Sequence, residues 1–150
     1  MKNLSRNKVN FSVIIPTLNI RSQFLNEALN TINNQIYKPS EVIIVNNGSR
    51  DLELPNLSLN IKQLDIKYKS GVSKARNFGA SQASYEFLAF LDDDDLWPKD
   101  YLFVIKNFIE QQDPDCLVTS LSKLKDGKMF DYKNVEGQIN KDIILTRNPG

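Results

Sequence analysis

Tyr85-Glu86-Phe87-Leu88-Ala89-Phe90-Leu91-Asp92-Asp93-Asp94-Asp95 is the stretch that decides the fold of this chain. Its first part, Tyr85 to Leu91, is short, aromatic-rich and almost uninterrupted in its apolar character, which predicts a buried strand. Four consecutive aspartates then leave that strand at its carboxyl end, where open α/β sheets place their ligands. Crowding them is costly: two unit charges about 4 Å apart repel by about 1 kcal/mol in bulk water and about 4 kcal/mol near a protein surface. A divalent cation relieves that repulsion, and hard carboxylate oxygens suit Mg²⁺ or Mn²⁺. A plainer reading stands beside it. Asp95-Leu96-Trp97-Pro98 resembles a helix start, with Pro98 early in the first turn and acids favoured there by the helix dipole. That accounts for Asp95 and one neighbour, but not for Asp92 and Asp93, which come straight off the strand. Trp97 is then either a packing residue of the first turn or a lid over the acids.

Working outward, the chain alternates between the two periodicities. Phe11 to Ile15 is a compact apolar strand ended by Pro16. From about Arg21 to Gln35, residues Phe24, Leu25, Ala28, Leu29 and Ile32 recur at helical spacing. Pro39-Ser40 precedes Glu41-Val42-Ile43-Ile44-Val45, a β-branched strand buried on both faces, and Asn46-Asn47-Gly48-Ser49 follows as a turn. Partial alternation over Leu57–Tyr68 predicts a third strand. Ser73 is the expected N-cap of a helix running to about Ser84. Beyond the acids, a helix is expected over about 98–112 and another strand over Asp115–Ser120. From Lys123 the chain is polar and reads as loop or irregular strand.

Strands alternating with helices imply βαβ units, so the fold class is α/β with a mainly parallel sheet flanked by helices. Pro16-Thr17-Leu18-Asn19, Asn46-Asn47-Gly48-Ser49 and Asp92 to Asp95 should then line one sheet edge, a crevice floored by acids and amides. Polar strand ends are ordinary one at a time. Three of them beside an acidic run point to a ligand site.

Composition narrows the chemistry. The 150 residues form one domain by length, with 1–9 expected as a flexible basic start. A formal charge of +1 gives no electrostatic case for nucleic acid as the main partner. The single cysteine, Cys116, excludes an internal disulfide framework and a cysteine zinc cluster. With no histidine in the chain, a histidine zinc site, a Ser-His-Asp triad and a histidine general base are excluded too. No apolar stretch approaches the ~20 residues that cross a bilayer, and Pro16 and Asn19 interrupt any signal-peptide core. The default location is therefore cytoplasmic, and the basic start (Lys2, Arg6, Lys8) is a weak signal for peripheral contact with an anionic membrane face.

Four segments carry a family likeness, in order: Ser12–Asn19, Glu41–Asp51, Gly71–Gly79 and Phe90–Asp95. Together they resemble the family 2 glycosyltransferases of GT-A fold. The resemblance implies an N-terminal nucleotide-sugar-binding portion. It also implies transfer of the sugar, with inversion, from a nucleoside-diphosphate donor to a glycan or lipid-linked acceptor. Asp92 and Asp94 fall on the family's Asp-x-Asp motif. Asp94 is then the direct ligand of a Mn²⁺ or Mg²⁺ bridging the donor diphosphate, and Asp92 lies toward the ribose as a second acid. Pro16, Thr17 and Asn19, with Asn46, Asn47, Arg76 and Asp93, complete the donor-binding set, Arg76 pairing a phosphate or covering the base.

Two departures from the family pattern shape the expectation. The family usually has one or two aspartates where Asn46 and Asn47 stand, accepting the imide N–H of a uracil or thymine base. Asn still accepts, without a charged acceptor's strength, so a UDP- or dTDP-sugar is expected to bind more weakly than usual. The family's catalytic carboxylate lies downstream, in the region that also binds the acceptor, and the chain is expected to end as that region begins, with 123–150 as its incomplete start. None of Asp126, Asp131, Glu136 and Asp142 sits in the family's downstream motif, so no catalytic base is assigned. A non-catalytic nucleotide-sugar-binding module is the competing reading. A metal-dependent phosphotransfer domain is a remote one, because the first two strands end in Thr17 and Asn46 rather than in an acceptor aspartate.

Overall fold

The structure is a computed structural model, described here for residues 8–20, 22–119, 122–125 and 128–131. The chain divides into two compact units, residues 1–113 and 114–150. The start at residues 1–7 and the carboxylates Asp126, Glu136 and Asp142 lie outside the described residues.

The first unit is built on a parallel sheet of β1 (Phe11–Thr17), β2 (Glu41–Asn46), β3 (Ile61–Asp65) and β4 (Phe87–Phe90), in the order β3-β2-β1-β4. Successive crossovers carry the chain outward from β1 to β3. The next one then returns it to the opposite side of β1. The switch point of this α/β sheet therefore lies between β1 and β4, at their carboxyl ends. The register sets Thr17 opposite Asn46 and Asn46 opposite Asp65, so three strands end level.

Side-chain alternation sorts the two faces. Val13, Ile15, Val42 and Ile44 join Leu25, Leu29 and Ile32 of α1 (Ser22–Asn33) and Leu102 and Ile109 of α3 (Tyr101–Gln112) in the larger core cluster. Ile14, Ile43 and Val45 meet Ala75 of α2 (Val72–Ser81) on the opposite face. Small residues let that helix come close: a Cβ on Gly79 would lie 2.6 Å from Ile14 Cγ2. Leu52, Leu54, Leu57 and Leu59, from a stretch without regular structure, close the larger core.

The parallel sheet and most elements of this unit match the expectation, with five corrections. Pro16 does not end the first strand; it is buried inside β1. The Ile14 carbonyl accepts the Leu91 N–H at 3.1 Å, and Pro16, two residues on and facing the same edge, sits where the β1/β4 ladder has stopped, so its missing donor is not needed. Ser73 is not the cap of α2: Gly71 is, at φ 97°, a conformation that L side chains avoid. α2 also stops at Ser81 rather than Ser84, because the Ser84 N–H and hydroxyl both bind Glu41. The strand after it is not buried throughout: Phe87 and Ala89 face the core, while Leu88 and Phe90 are 40% and 46% exposed. α3 begins at Tyr101, well past the acids, so Asp92 to Asp95 do not form its first turn.

In the second unit, the strand expected at Asp115–Ser120 is not formed over 115–119, and Ser120 lies outside the described residues. The stretch from Lys123 holds instead a regular antiparallel pair, β5 (Ser122–Lys125) and β6 (Lys128–Asp131), with Leu124 opposite Met129.

Candidate functional site

The acidic residues meet the end of β1 at the switch point. Carrying the β1/β4 register on from Ile14 and Phe90 brings Asp93 alongside Thr17, and the buried Thr17 hydroxyl donates to Asp93 Oδ2 at 2.5 Å. The same hydroxyl oxygen accepts the Asn19 N–H at 2.9 Å. Thr17 thus ties the first strand's loop to the acidic turn, using a hydroxyl's capacity both to donate and to accept. Asp92 to Asp95 form a tight turn closed by the Asp95 N–H on the Asp92 carbonyl at 3.1 Å.

The four carboxylates have different surroundings. Asp92 is paired with Arg76 of α2, Nη2 to Oδ1 at 2.5 Å. Burial pushes the Asp93 carboxyl above the usual aspartate range; the Thr17 hydroxyl pulls the other way, and the charges of Asp94 and Asp92 add to the rise. Asp95 is raised by burial and then by Asp92 and Asp94. Asp94 is exposed and has no side-chain hydrogen bond or ion pair among the described residues. No three acidic, histidine or cysteine side chains converge to hold a metal among those residues. Mg²⁺ is commonly held by one or two carboxylates together with substrate phosphates, and the free Asp94 near Asp92 is an oxygen donor set of that kind.

The amides flank this turn. Asn46 donates its side-chain N–H groups to the Arg50 carbonyl at 3.0 Å and to Asp65 Oδ1 at 2.8 Å, and its Oδ1 accepts the Gly48 N–H at 3.0 Å. Asn47 donates its backbone N–H to the Thr17 carbonyl at 2.7 Å, and its Oδ1 accepts the Ser70 N–H at 2.8 Å. Asn19 sits in the left-handed region at φ 49°, which Asn tolerates better than most residues. It gives its side-chain N–H to the Asp51 carbonyl at 2.8 Å, while its buried Oδ1 has no partner among the described residues. The loops after β1 and β2 touch so closely that a Cβ on Gly48 would lie 2.0 Å from the Leu18 carbonyl oxygen. A groove of about 170 Å³ runs beside them, lined by Leu18, Asn19, Arg50, Tyr68 and Lys69 among others.

The structure therefore joins Thr17 to Asp93, Thr17 to Asn47 and Asp92 to Arg76. Pro16 stays within the sheet beneath them. Sequence reasoning missed Asp65, the partner of Asn46, and Gln35. Buried Gln35 donates to the Pro98 carbonyl at 2.7 Å and accepts the Leu102 N–H at 3.0 Å, anchoring the segment that follows the acids. Asp65 could have been found from its place at the end of the third strand; nothing in the sequence marks Gln35. Trp97 is a packing residue: it stacks on Tyr101 with ring centroids 4.5 Å apart and packs against the larger core.

A parallel sheet with an acidic turn at its switch point defines an α/β protein that binds its ligand beyond the carboxyl ends of its strands. The chain matches the family described as glycosyl transferase family 2 over residues 12–148. It is 34% identical over 143 residues to an uncharacterized glycosyltransferase of Rickettsia felis, a match covering 90% of this chain and 24% of the relative. It is 38% identical over 92 residues to the GalNAc(5)-diNAcBac-PP-undecaprenol beta-1,3-glucosyltransferase of Campylobacter jejuni, covering 56% of this chain and 29% of that one. Among solved structures, Staphylococcus aureus TarS 1-349 in complex with UDP superposes with a TM-score of 0.58 at 32% identity, covering 70% of this chain and 33% of that chain. The chain belongs to glycosyl transferase family 2. It spans about a quarter of the length of the curated relatives it matches.

Proposed function

We propose that the chain carries the donor site of an inverting, cation-dependent glycosyltransferase, with a UDP-sugar as the favoured donor and a glycan or lipid-linked acceptor, working at the cytoplasmic face of a membrane. The observation that carries this reading is the Thr17–Asp93 bond, which fastens the acidic turn to the end of β1 at the switch point. The names of the relatives support the donor and acceptor classes. TarS has been solved with UDP and with UDP-GlcNAc and is named a poly(ribitol-phosphate) beta-N-acetylglucosaminyltransferase, and the Campylobacter relative is named for an undecaprenol-linked substrate. No helix among the described residues is long and apolar enough to cross a membrane.

In this reading Asp94, with Asp92, holds Mn²⁺ or Mg²⁺. When bound, the cation draws off negative charge developing on the departing nucleoside diphosphate. Thr17 fixes the turn, Asn47 and the groove by Tyr68 receive the nucleoside, and Arg76 faces the phosphates. The acceptor hydroxyl oxygen attacks the anomeric carbon from the face opposite the leaving diphosphate, which departs with the bonding electron pair. The hydroxyl proton passes to a carboxylate base, for which no residue is assigned. Calorimetric titration with UDP, dTDP and GDP, with and without Mn²⁺, tests the reading on the wild type and on Asp94→Asn. Manganese-dependent UDP binding that disappears in the variant is the expected result. No binding of any nucleotide by the wild type overturns it.

A further inference from the structure

We propose that Arg76 holds the Asp92 carboxylate until ligands bind and releases it only when the donor's diphosphate offers the guanidinium another anion, so that nucleotide and cation load together. The inference rests on the donor-site reading above and concerns the order in which that site fills.

Three observations lead to it. Arg76 comes from α2, on the smaller-core face of the sheet, and reaches across to the acidic turn, with Nη2 2.5 Å from Asp92 Oδ1. The two side chains are 35% and 41% exposed, wet enough for a partner in solution to exchange with either. Asp92 is also the only member of the acidic run with a cationic partner among the described ion pairs. Thr17 serves Asp93 as a neutral donor.

The electrostatics then set the coupling. Without ligands, Arg76 neutralises one of four crowded carboxylates. A cation arriving alone must compete with the guanidinium for Asp92 and also approach a fixed positive charge. A diphosphate arriving alone must draw Arg76 away and leave four carboxylates facing its own charge. When both arrive, each positive group meets a negative one: the guanidinium meets a phosphate with its planar fork and the cation meets Asp94 and Asp92. Arg76 therefore adds to the coupling between the two ligands, over and above any direct contact between cation and phosphate.

Mn²⁺ binding can be read without turnover from the loss of the free-ion signal in electron paramagnetic resonance, first without nucleotide and then at saturating UDP. Relative to wild type, R76Q is expected to bind Mn²⁺ alone about 1.5- to fivefold more tightly, the range an exposed or half-exposed ion pair can supply. The factor by which UDP improves Mn²⁺ affinity should shrink by the same amount. R76K keeps the charge without the fork and should fall between the two. A merely structural Arg76 would give R76Q a weaker Mn²⁺ site or an unchanged one, and either result overturns the inference while leaving UDP binding by the wild type intact. A wild type that binds no UDP with Mn²⁺ present overturns the donor-site reading, and this inference with it.

Discussion

Replacing Asn46 by Asp would set a second carboxylate against Asp65, whose Oδ1 now takes an Asn46 amide proton at 2.8 Å, and would leave the Arg50 carbonyl without its donor. Thermal denaturation should show Asn46→Asp melting below wild type, by about 1–3 kcal/mol of lost stability. Asn47→Asp is different. Its Oδ1 accepts from Ser70, a bond a carboxylate keeps, so this variant should stay folded and bind UDP several-fold more tightly by calorimetry. Unchanged UDP affinity in Asn47→Asp would remove the idea that the amide weakens base recognition. Gly48 is a matter of space. Any side chain there runs into the Leu18 carbonyl, and Gly48→Ala should cost about 1–3 kcal/mol in a denaturant titration.

Titration of the carboxylates gives opposite signs at the two ends of the sheet. Asp93 and Asp95 have folded values above their unfolded ones. The folded state therefore holds their protons more tightly, and their contribution is fully present below the ordinary aspartate range and is lost as pH rises through the raised values. Glu41 lies at the other end of β1 and β2. Burial would raise its carboxyl, but the Ser12 hydroxyl, the Ser84 N–H and hydroxyl and the charge of Lys62 outweigh it and hold the value low. Its contribution is present above the ordinary glutamate range and is lost as pH falls through the lowered value. In melts without divalent cation, Asp95→Asn should raise the midpoint at neutral pH relative to wild type and lose that advantage in acid. Glu41→Gln should lower the midpoint at neutral pH. An Asp95→Asn midpoint that does not depend on pH relative to wild type would show that the turn carries no such strain.

At the scale of elements, α3 and the turn before it depend on one buried amide. Gln35→Ala would orphan the Leu102 N–H and the Pro98 carbonyl, a loss of about 1–3 kcal/mol that hydrogen exchange at Leu102 should localise to the first turn of α3. This anchor also shows where the sequence stopped being informative. The runs Val42–Val45 and Phe11–Ile15 announced their strands because both faces are buried, and the Leu25/Ala28/Leu29/Ile32 stripe announced α1, since periodicity records burial directly. That Thr17, Asp92 and Asp93 lie together at strand ends was legible too, and Thr17 bonds Asp93 there. What remained hidden depends on contacts between segments distant in sequence. Gln35 meets Leu102 across 67 positions, and Asn46 finds Asp65 only because β2 and β3 pair in one particular register. The start of α3 was misjudged for the same reason: Pro98 gives a local signal, but its carbonyl is held by Gln35, and the helix begins only beyond it.

For the molecule as a whole, the order β3-β2-β1-β4 makes the site a property of topology. Neither Thr17 nor the acids form it alone; the crossover from β3 back past β1 brings them together. On β4, Leu88 and Phe90 are left 40% and 46% exposed on one face. In a tube of purified protein that face is a colloidal liability: part-uncovered apolar side chains meet like patches on other molecules as concentration rises. Sedimentation velocity should show this chain growing in size with concentration, and Leu88→Lys should hold it at monomer mass, the charge working as a gatekeeper against stacking.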